Sequence, residues 1–355
     1  MAISKDLLLL NKEKFQTKLL QWFQKNKRDL PWRKNRDPYA IWVSEIMLQQ
    51  TQVNTVIPYY NHFLKTFPTI RDLTKANLSK VLTVWEGLGY YSRARNLHQA
   101  SRIIANHFKG KIPETPKDLL SLPGIGRYTA GAILSIAYNK VTPILDGNVK
   151  RVLSRLFVVS GHPKKTEEFL WPLSESLIPK GSPGAFNQAL MDLGSMICTP
   201  KIPNCLSCPL KNLCQGYLSG KPESYPLRSV KKKVPHIEAI AAVIQKDGKV
   251  LLRQRPPRGL LGGLWEFPHW KIEEKRRLRL RLRNYIKKEM GVNVEVKEPI
   301  GTFHQTYSHF KLTLHVFKCD AIDGSRKGKW IPIKNLSLLP LSSIHRKIAK
   351  TIIPK

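Results

Sequence analysis

Four cysteines fall within one short stretch of this chain, Cys198, Cys205, Cys208 and Cys214, spaced Cys-x6-Cys-x2-Cys-x5-Cys. Soft thiolates at such spacing can close on one metal centre, and whatever fold carries them is stapled at that point. A structural zinc site also uses four thiolates, but zinc ribbons show two Cys-x2-Cys pairs and this loop has one. Tight, unequal spacing in a single loop suits a [4Fe–4S] cluster better. The loop also carries Lys201 and Lys211. A metal-rigidified basic loop can present its charge to a phosphate, so the centre's expected role is structural and electrostatic rather than redox. Five cysteines, four of them clustered, do not make a disulfide framework. The fifth, Cys319, closes the alternating stretch 312–319 and reads as a buried thiol.

Two periodicities divide the chain. From residue 12 to about 215 apolar residues recur at helical spacing, as in Phe15, Leu19, Trp22 and Phe23. Helices fit about 40–50, capped by Asp37-Pro38, and 54–66, 77–85, 92–108, 116–121, 127–138 and 147–158. Residues 221–236 read as a linker, framed by Gly and Pro around the basic run Lys231-Lys232-Lys233. Beyond it the period becomes 2. A strand at 237–245 turns at Asp247-Gly248 into a second at 249–255, which is a hairpin signal. A charged helix at about 273–290, strands near 293–304 and 309–319 and a short closing helix complete a smaller α+β domain.

The chain carries 60 Lys and Arg against 25 Asp and Glu, a net charge of +35. Residues 1–227 hold 31 basic and 15 acidic side chains, and the remainder 29 and 10, so the excess is not a tail. Such a field favours polyanions, nucleic acid ahead of anionic membrane. No apolar run reaches the roughly 18 residues of a membrane helix. The run Leu7 to Leu10 lacks a cleavage site after it, so no secretory signal is read there. These features imply a cytoplasmic, nucleoid-associated protein with no membrane partner.

Leu122-Pro123-Gly124-Ile125-Gly126 joins two short helices. Its glycines are expected to adopt positive φ and to let a backbone approach closely. The next helix N-terminus would aim free N–H groups at a phosphate, beside Arg127. Carbonyls of Leu120, Leu122 and Ile125 are placed to hold a monovalent cation. Two acids stand out. Glu45 lies in the apolar run Ile41 to Leu48, where a carboxylate is costly to ionise, so its pKa should rise and make it a proton donor near neutral pH. A Glu pairing with Arg33 or Arg36 is the plainer alternative. Asp146 precedes Gly147-Asn148-Val149 and suits an N-cap, a role compatible with stabilising positive charge on a sugar.

The hairpin and Asp146 resemble the helix-hairpin-helix, iron–sulfur DNA glycosylase superfamily. Pro31-Trp32-Arg33, the run Trp42 to Val53 and the run Trp85 to Leu97 narrow the resemblance to its adenine DNA glycosylases. The resemblance implies a mainly α, two-lobed helix-hairpin-helix glycosylase domain with an iron–sulfur cluster loop, plus a C-terminal α+β Nudix-like domain. The expected boundaries are 1–220 for the first, with a six-helix module at 29–141 and an iron–sulfur lobe at 1–28 and 142–220. The linker is 221–236 and the Nudix-like domain 237–355. The implied substrate is double-stranded DNA with adenine opposite 8-oxoguanine or guanine, bound by a monomer. Lyase relatives such as endonuclease III carry Lys where this chain has Tyr128, and a phenol cannot form a Schiff base. The resemblance therefore implies a monofunctional glycosylase.

By the same resemblance Glu45 protonates adenine N7, Asp146 stabilises the oxocarbenium-like sugar, and Tyr128 and Asn148 orient them. Trp32, Arg33, Leu48 and Gln188 line the adenine pocket, and Gln50 and Tyr90 fill or wedge the gap left by the extruded base. Gly124, Gly126 and Arg127 meet the DNA backbone, and the four cysteines hold the cluster. In the Nudix-like domain only Glu289 of the stretch 282–291 is acidic, so a divalent cation lacks ligands there. Tyr307-Ser308-His309 falls in the loop expected to sense 8-oxoguanine, and the basic helix 271–290 tracks phosphate. Two alternatives stand beside this reading: an endonuclease III-like glycosylase and AP lyase, and a non-catalytic DNA-damage-binding protein.

Overall fold

The computed structural model describes residues 11–227, 234–323 and 327–353. The apolar run Leu7 to Leu10 and the basic run Lys231 to Lys233 lie outside them. In chain order the helices are α1 (Lys12–Asn26), α2 (Pro38–Leu48), α3 (Val53–Thr66), α4 (Ile70–Lys75), α5 (Leu78–Val84), α6 (Ser92–His107), α7 (Pro116–Leu120) and α8 (Arg127–Ile136). There follow α9 (Gly147–Leu156), α10 (Pro163–Leu177), α11 (Pro183–Met196) and α12 (Gln215–Leu218). After the linker come strands β1 (His236–Lys246), β2 (Lys249–Gln254), β3 (Trp265–Glu266) and β4 (His269–Ile272), then helix α13 (Leu278–Tyr285). Strands β5 (Asn293–Thr306), β6 (Lys311–Asp323) and β7 (Lys329–Pro332) precede helix α14 (Ser343–Ile352).

The chain divides into two compact units, residues 1–74 with 99–230 and residues 75–98 with 231–355. The helical unit is built on the apolar stripes read from the sequence. Phe15, Leu19 and Phe23 of α1 pack into one core with Val149, Val152 and Leu153 of α9 and Phe186, Leu190 and Leu193 of α11. Pro at N1 starts α2 and α11, where its missing N–H costs nothing. Three helical glycines let these elements cross closely. A Cβ on Gly131 of α8 would collide with the Pro143 carbonyl, one on Gly184 would sit 2.5 Å from Ser135 O, and one on Gly194 would sit 2.7 Å from Asn148 Cβ. Helices α10 and α11 have no bounds in the sequence reading. Pro172 lies inside α10 and blurs its period.

In the second unit the sheet order is β3-β2-β1-β6-β5, with β4 added to β1 and β7 to β2. Strands β1 and β6 run parallel in register, His236 opposite Lys311. The period of 2 seen in the sequence buries both faces of β1. Ala239, Ala241 and Val243 face a core shared with Ile344 and Ile348 of α14. Ile240, Ala242 and Ile244 face a core shared with Leu282 and Ile286 of α13 and the turn after it. The expected hairpin forms, with Lys246 paired to Lys249 and positive φ at Asp247 and Gly248.

The charged helix expected from 271 or 273 begins only at Leu278. Trp270 and Ile272 are buried on alternate positions of β4, which pairs with β1, and Arg277 in the left-handed region separates strand from helix. The helical run ends in a π turn at Ile286–Met290, and Glu289 is exposed on it.

Candidate active site

Helix α2 is buried on every side, because its sequence offers no polar face (Tyr39 to Met47 are all buried). Asp37 caps it, accepting the N–H groups of Tyr39 and Ala40 at 3.0 and 3.3 Å. A carboxylate on such a helix is largely shielded from water, and Glu45 is 4% exposed. Burial pushes its pKa up to about 7. The charge of Asp146 adds to the rise, while a hydrogen bond from Tyr128 and the charge of Arg33 oppose it. Tyr128, at the start of α8, donates its O–H to Glu45 Oε2 at 2.8 Å. Burial and the two acids hold the Tyr128 phenol well above its ordinary pKa, so it remains a donor.

Asp146 is the N-cap of α9 and accepts the Val149 N–H at 2.7 Å, as its place before Gly147-Asn148 implied. Asn148 Nδ2 donates to its other oxygen at 3.0 Å. Burial lifts the Asp146 pKa, against these hydrogen bonds and the charge of Arg151, which favour the anion. Arg151 holds Asn148 in turn, donating to its Oδ1 at 2.8 Å and to the carbonyls of Gly194 and Cys198 at 2.6 and 2.7 Å. One face of α9 therefore ties the acid to the start of the cysteine loop.

A cavity of about 50 Å³ opens beside Glu45. Trp32, Arg33, Leu48 and Gln188 all line it. Arg28 and Met191 line it too, and these the sequence reading missed. Arg33 does not pair with Glu45. Both Arg33 and Arg28 bond the fully buried Asp192 of α11, Arg33 at 2.7 and 3.1 Å and Arg28 Nε at 2.8 Å. Asp192 lies more than 150 residues from either arginine in sequence, and no local pattern marks it. Gln50, exposed at the end of α2, has φ 58°, a conformation uncommon for a side-chain-bearing residue and often found where function demands it.

The glycine hairpin meets part of its expectation. Gly124 has φ 81°, but Gly126 is extended and serves as the N-cap of α8 without a side-chain bond. No atom lies within 4 Å of where a Gly126 Cβ would stand, which leaves the helix N-terminus open. Arg127 lies over the Trp171 ring at 4.0 Å. Leu122 O accepts the Ile125 N–H and keeps its second lone pair.

Cys198 and Cys214 meet the C-terminal end of α9 at Arg155. The buried guanidinium of Arg155 donates to Cys198 Sγ at 3.3 Å and to the carbonyls of Thr199 and Pro200. Cys214 Sγ donates to Arg155 O at 3.5 Å. Burial, joined by the neighbouring sulfurs, pushes the thiols of Cys205 and Cys214 up and that of Cys208 to about 12. Thiols so crowded are poor anions alone and suit a shared positive centre.

In the second unit, Tyr90 is presented by a tight turn. Gly87, Gly89 and Tyr90 have φ of 97°, 75° and 47°. Trp85 Nε1 donates to Gly89 O at 3.1 Å, and the Arg93 guanidinium lies 5.3 Å from the Tyr90 ring. Tyr307 is half-buried at the start of the β5–β6 loop, with Ser308 and His309 exposed beside it. Among the described residues one group of three potential metal ligands has its atoms within 4.8 Å of one another, Glu266, His269 and His345. Both Glu266 oxygens are engaged by Arg253 and Arg255 at 2.7 Å, and two fixed positive charges oppose a divalent cation there. Glu289 belongs to no such group.

Two family profiles match the chain: the HhH-GPD superfamily base excision DNA repair protein over residues 43–176 and the NUDIX domain over residues 239–351. The adenine DNA glycosylase of Buchnera aphidicola subsp. Acyrthosiphon pisum is 40% identical, over 94% of this chain and 96% of that one. The Homo sapiens adenine DNA glycosylase is 37% identical, over 90% and 69%. Among solved structures, a thermostable thymine-DNA glycosylase is 32% identical with a TM-score of 0.55, covering 60% of this chain and 99% of that one. A non-covalent endonuclease III–DNA complex shares the fold at 21% identity and a TM-score of 0.52, covering 61% and 98%. A helix-hairpin-helix glycosylase fold followed by a Nudix-like domain, with the Buchnera relative matched over 96% of its length, places this chain in the adenine DNA glycosylase family.

Proposed function

We propose that the chain excises adenine mispaired with 8-oxoguanine or guanine in double-stranded DNA by hydrolysing its N-glycosidic bond, leaving the DNA backbone intact. One observation carries the reading: a buried carboxyl with a pKa near 7, held by a phenol, borders a cavity and senses a second carboxyl at a helix N-cap. The adenine leaves the stack and enters the cavity beside Trp32, Arg33, Leu48 and Gln188, with Gln50 and Tyr90 occupying the gap. The cavity as it stands holds only a few waters, so it widens to admit the base.

Glu45 gives its proton to adenine N7, and the C1′–N9 bond breaks with its electron pair going to the base. The Asp146 carboxylate stabilises the positive sugar, and water completes the hydrolysis. Tyr128 fixes one oxygen of Glu45 and Asn148 one oxygen of Asp146, so neither acid reorganises during the reaction. Tyr128 offers no amine, which supports a monofunctional enzyme over a lyase.

Cys198, Cys205, Cys208 and Cys214 would hold a [4Fe–4S] cluster. One Cys-x2-Cys pair with unequal spacing in a single loop supports an iron–sulfur cluster over a zinc ribbon, which uses two such pairs. The cluster would make the loop rigid, and Lys201 and Lys211 would supply its positive charge. Gly124, Gly126 and Arg127 meet the phosphate backbone, with a monovalent cation on the carbonyls of Leu120, Leu122 and Ile125. Residues 1–220, 221–236 and 237–355 serve as glycosylase domain, linker and Nudix-like domain, and Tyr307, Ser308 and His309 read the oxidised base. The enzyme acts as a monomer at the nucleoid.

Single-turnover assays on A:8-oxoguanine and A:G duplexes test the reading, with alkali added afterwards. Strand breaks at the adenine appear only after alkali, and borohydride traps no covalent adduct. Breaks without alkali would make the chain a lyase, and no breaks at all would leave a DNA-binding protein.

A further inference from the structure

The turn that carries Tyr90 belongs to the second compact unit. Residues 75–98 form one compact unit with the sheet rather than with the rest of the helices. Glu86 anchors them. Its carboxylate accepts Arg346 Nε at 2.5 Å and Nη2 at 2.8 Å, and also the Leu341 N–H at 3.2 Å. The two side chains are only 15% and 18% exposed. Arg346 also donates to the carbonyls of Leu336 and Leu339 at 2.7 and 2.6 Å, which fixes it on its own side. Tyr91 O–H donates to Leu341 O at 3.3 Å, and Arg95 donates to Gly262 O at 2.8 Å.

The segment that receives these bonds adjoins the loop assigned to the oxidised base. Tyr307 lies beside Ser342 and packs into the same core as Leu341 and Ile344. Between Glu86 and Tyr90 the backbone is locked by Arg93, which donates to the carbonyls of Leu88 and Gly89 at 3.3 and 3.2 Å. Three residues of this turn sit in the left-handed region, so local propensity does not set its shape; the bonds around it do. A two-pronged guanidinium–carboxylate contact fixes direction as well as distance.

We propose that Glu86 and Arg346 are positioning residues that make the Tyr90 turn a rigid extension of the 8-oxoguanine-reading domain. Reading the oxidised base and inserting Tyr90 are then one mechanical step, and the pair sets the preference for A:8-oxoguanine over A:G. This inference rests on the function proposed above.

The test compares the full chain with Glu86→Gln, Arg346→Gln, Tyr90→Ala and the double variant Glu86→Gln/Tyr90→Ala in single-turnover excision on both duplexes. Glu86→Gln lowers the A:8-oxoguanine rate about tenfold and the A:G rate less than about threefold, the scale of coupling through a packed network. Arg346→Gln reproduces it. In the Tyr90→Ala background Glu86→Gln adds nothing further, a non-additivity that a general loss of stability does not produce. Should Glu86→Gln fail to fold by circular dichroism, Arg346→Lys, which keeps the charge and loses the two-pronged contact, carries the same comparison. An unchanged preference, or effects that add to those of Tyr90→Ala, overturns the inference. If the wild-type chain removes adenine from neither duplex, the proposed function itself has failed; if it prefers 8-oxoguanine and every variant does equally, only this inference has.

Discussion

Glu45 is a carboxyl group that the fold makes costly to ionise. Its pKa of about 7 lies above its ordinary value of 4.5, so the folded chain binds this proton more tightly than the unfolded one. Burial of the group therefore costs nothing below about pH 4.5 and progressively more as pH rises toward 7, up to ~3 kcal/mol for this shift. Glu45→Gln removes that cost. The variant should melt higher than wild type at pH 8 and equally at pH 4, as followed by circular dichroism. Its single-turnover excision should fall by at least about 100-fold, and the wild-type loss of rate above about pH 7 should vanish from the profile. Asp146→Asn separates two roles of one side chain. Asn caps a helix as well as Asp does, so stability should change by less than ~1 kcal/mol, while excision again falls at least about 100-fold. Glu45 was legible because a lone acid in an apolar run has no other place to go. Arg28 and Asp192 were not, because their meeting depends on how α11 returns to the N-terminal segment.

Elements with a strong period were legible to within a few residues. The apolar stripe of α1 defines a buried face and the apolar run of β1 a strand buried on both faces, which any packing must respect. The stretch 271–277 misled because charged residues satisfy a helix pattern as readily as an exposed strand end, and only pairing of β4 with β1 decides between them. Close crossings were not legible at all. Gly194 of α11 touches Asn148, which holds Asp146, so a methyl there would press on the helix start that presents the acid. Gly194→Ala should destabilise the chain by about 1–3 kcal/mol, the usual cost of overpacking. Urea titration reads the stability, and the surviving folded protein should excise adenine more slowly than wild type.

At the scale of the whole molecule, a net charge of +35 shared by both halves of the sequence sets how the chain meets DNA. If six to ten phosphates are neutralised, affinity for any duplex should fall by about 10³–10⁵ between 50 and 200 mM salt. Fluorescence anisotropy of a labelled duplex measures it, and a loss below tenfold would mean that the charge is not spent on phosphate. Composition made this legible; which side chains meet which phosphate it could not. The glycines at 131, 184 and 194 add one more consequence. They carry no polar atom beyond the backbone, yet Gly184 and Gly194 stand where two helices nearly touch and Gly131 where a helix meets the Pro143 carbonyl. A mutational survey scored only by survival of the repair phenotype would return them alongside the two acids, and a search guided by chemistry alone would pass them over.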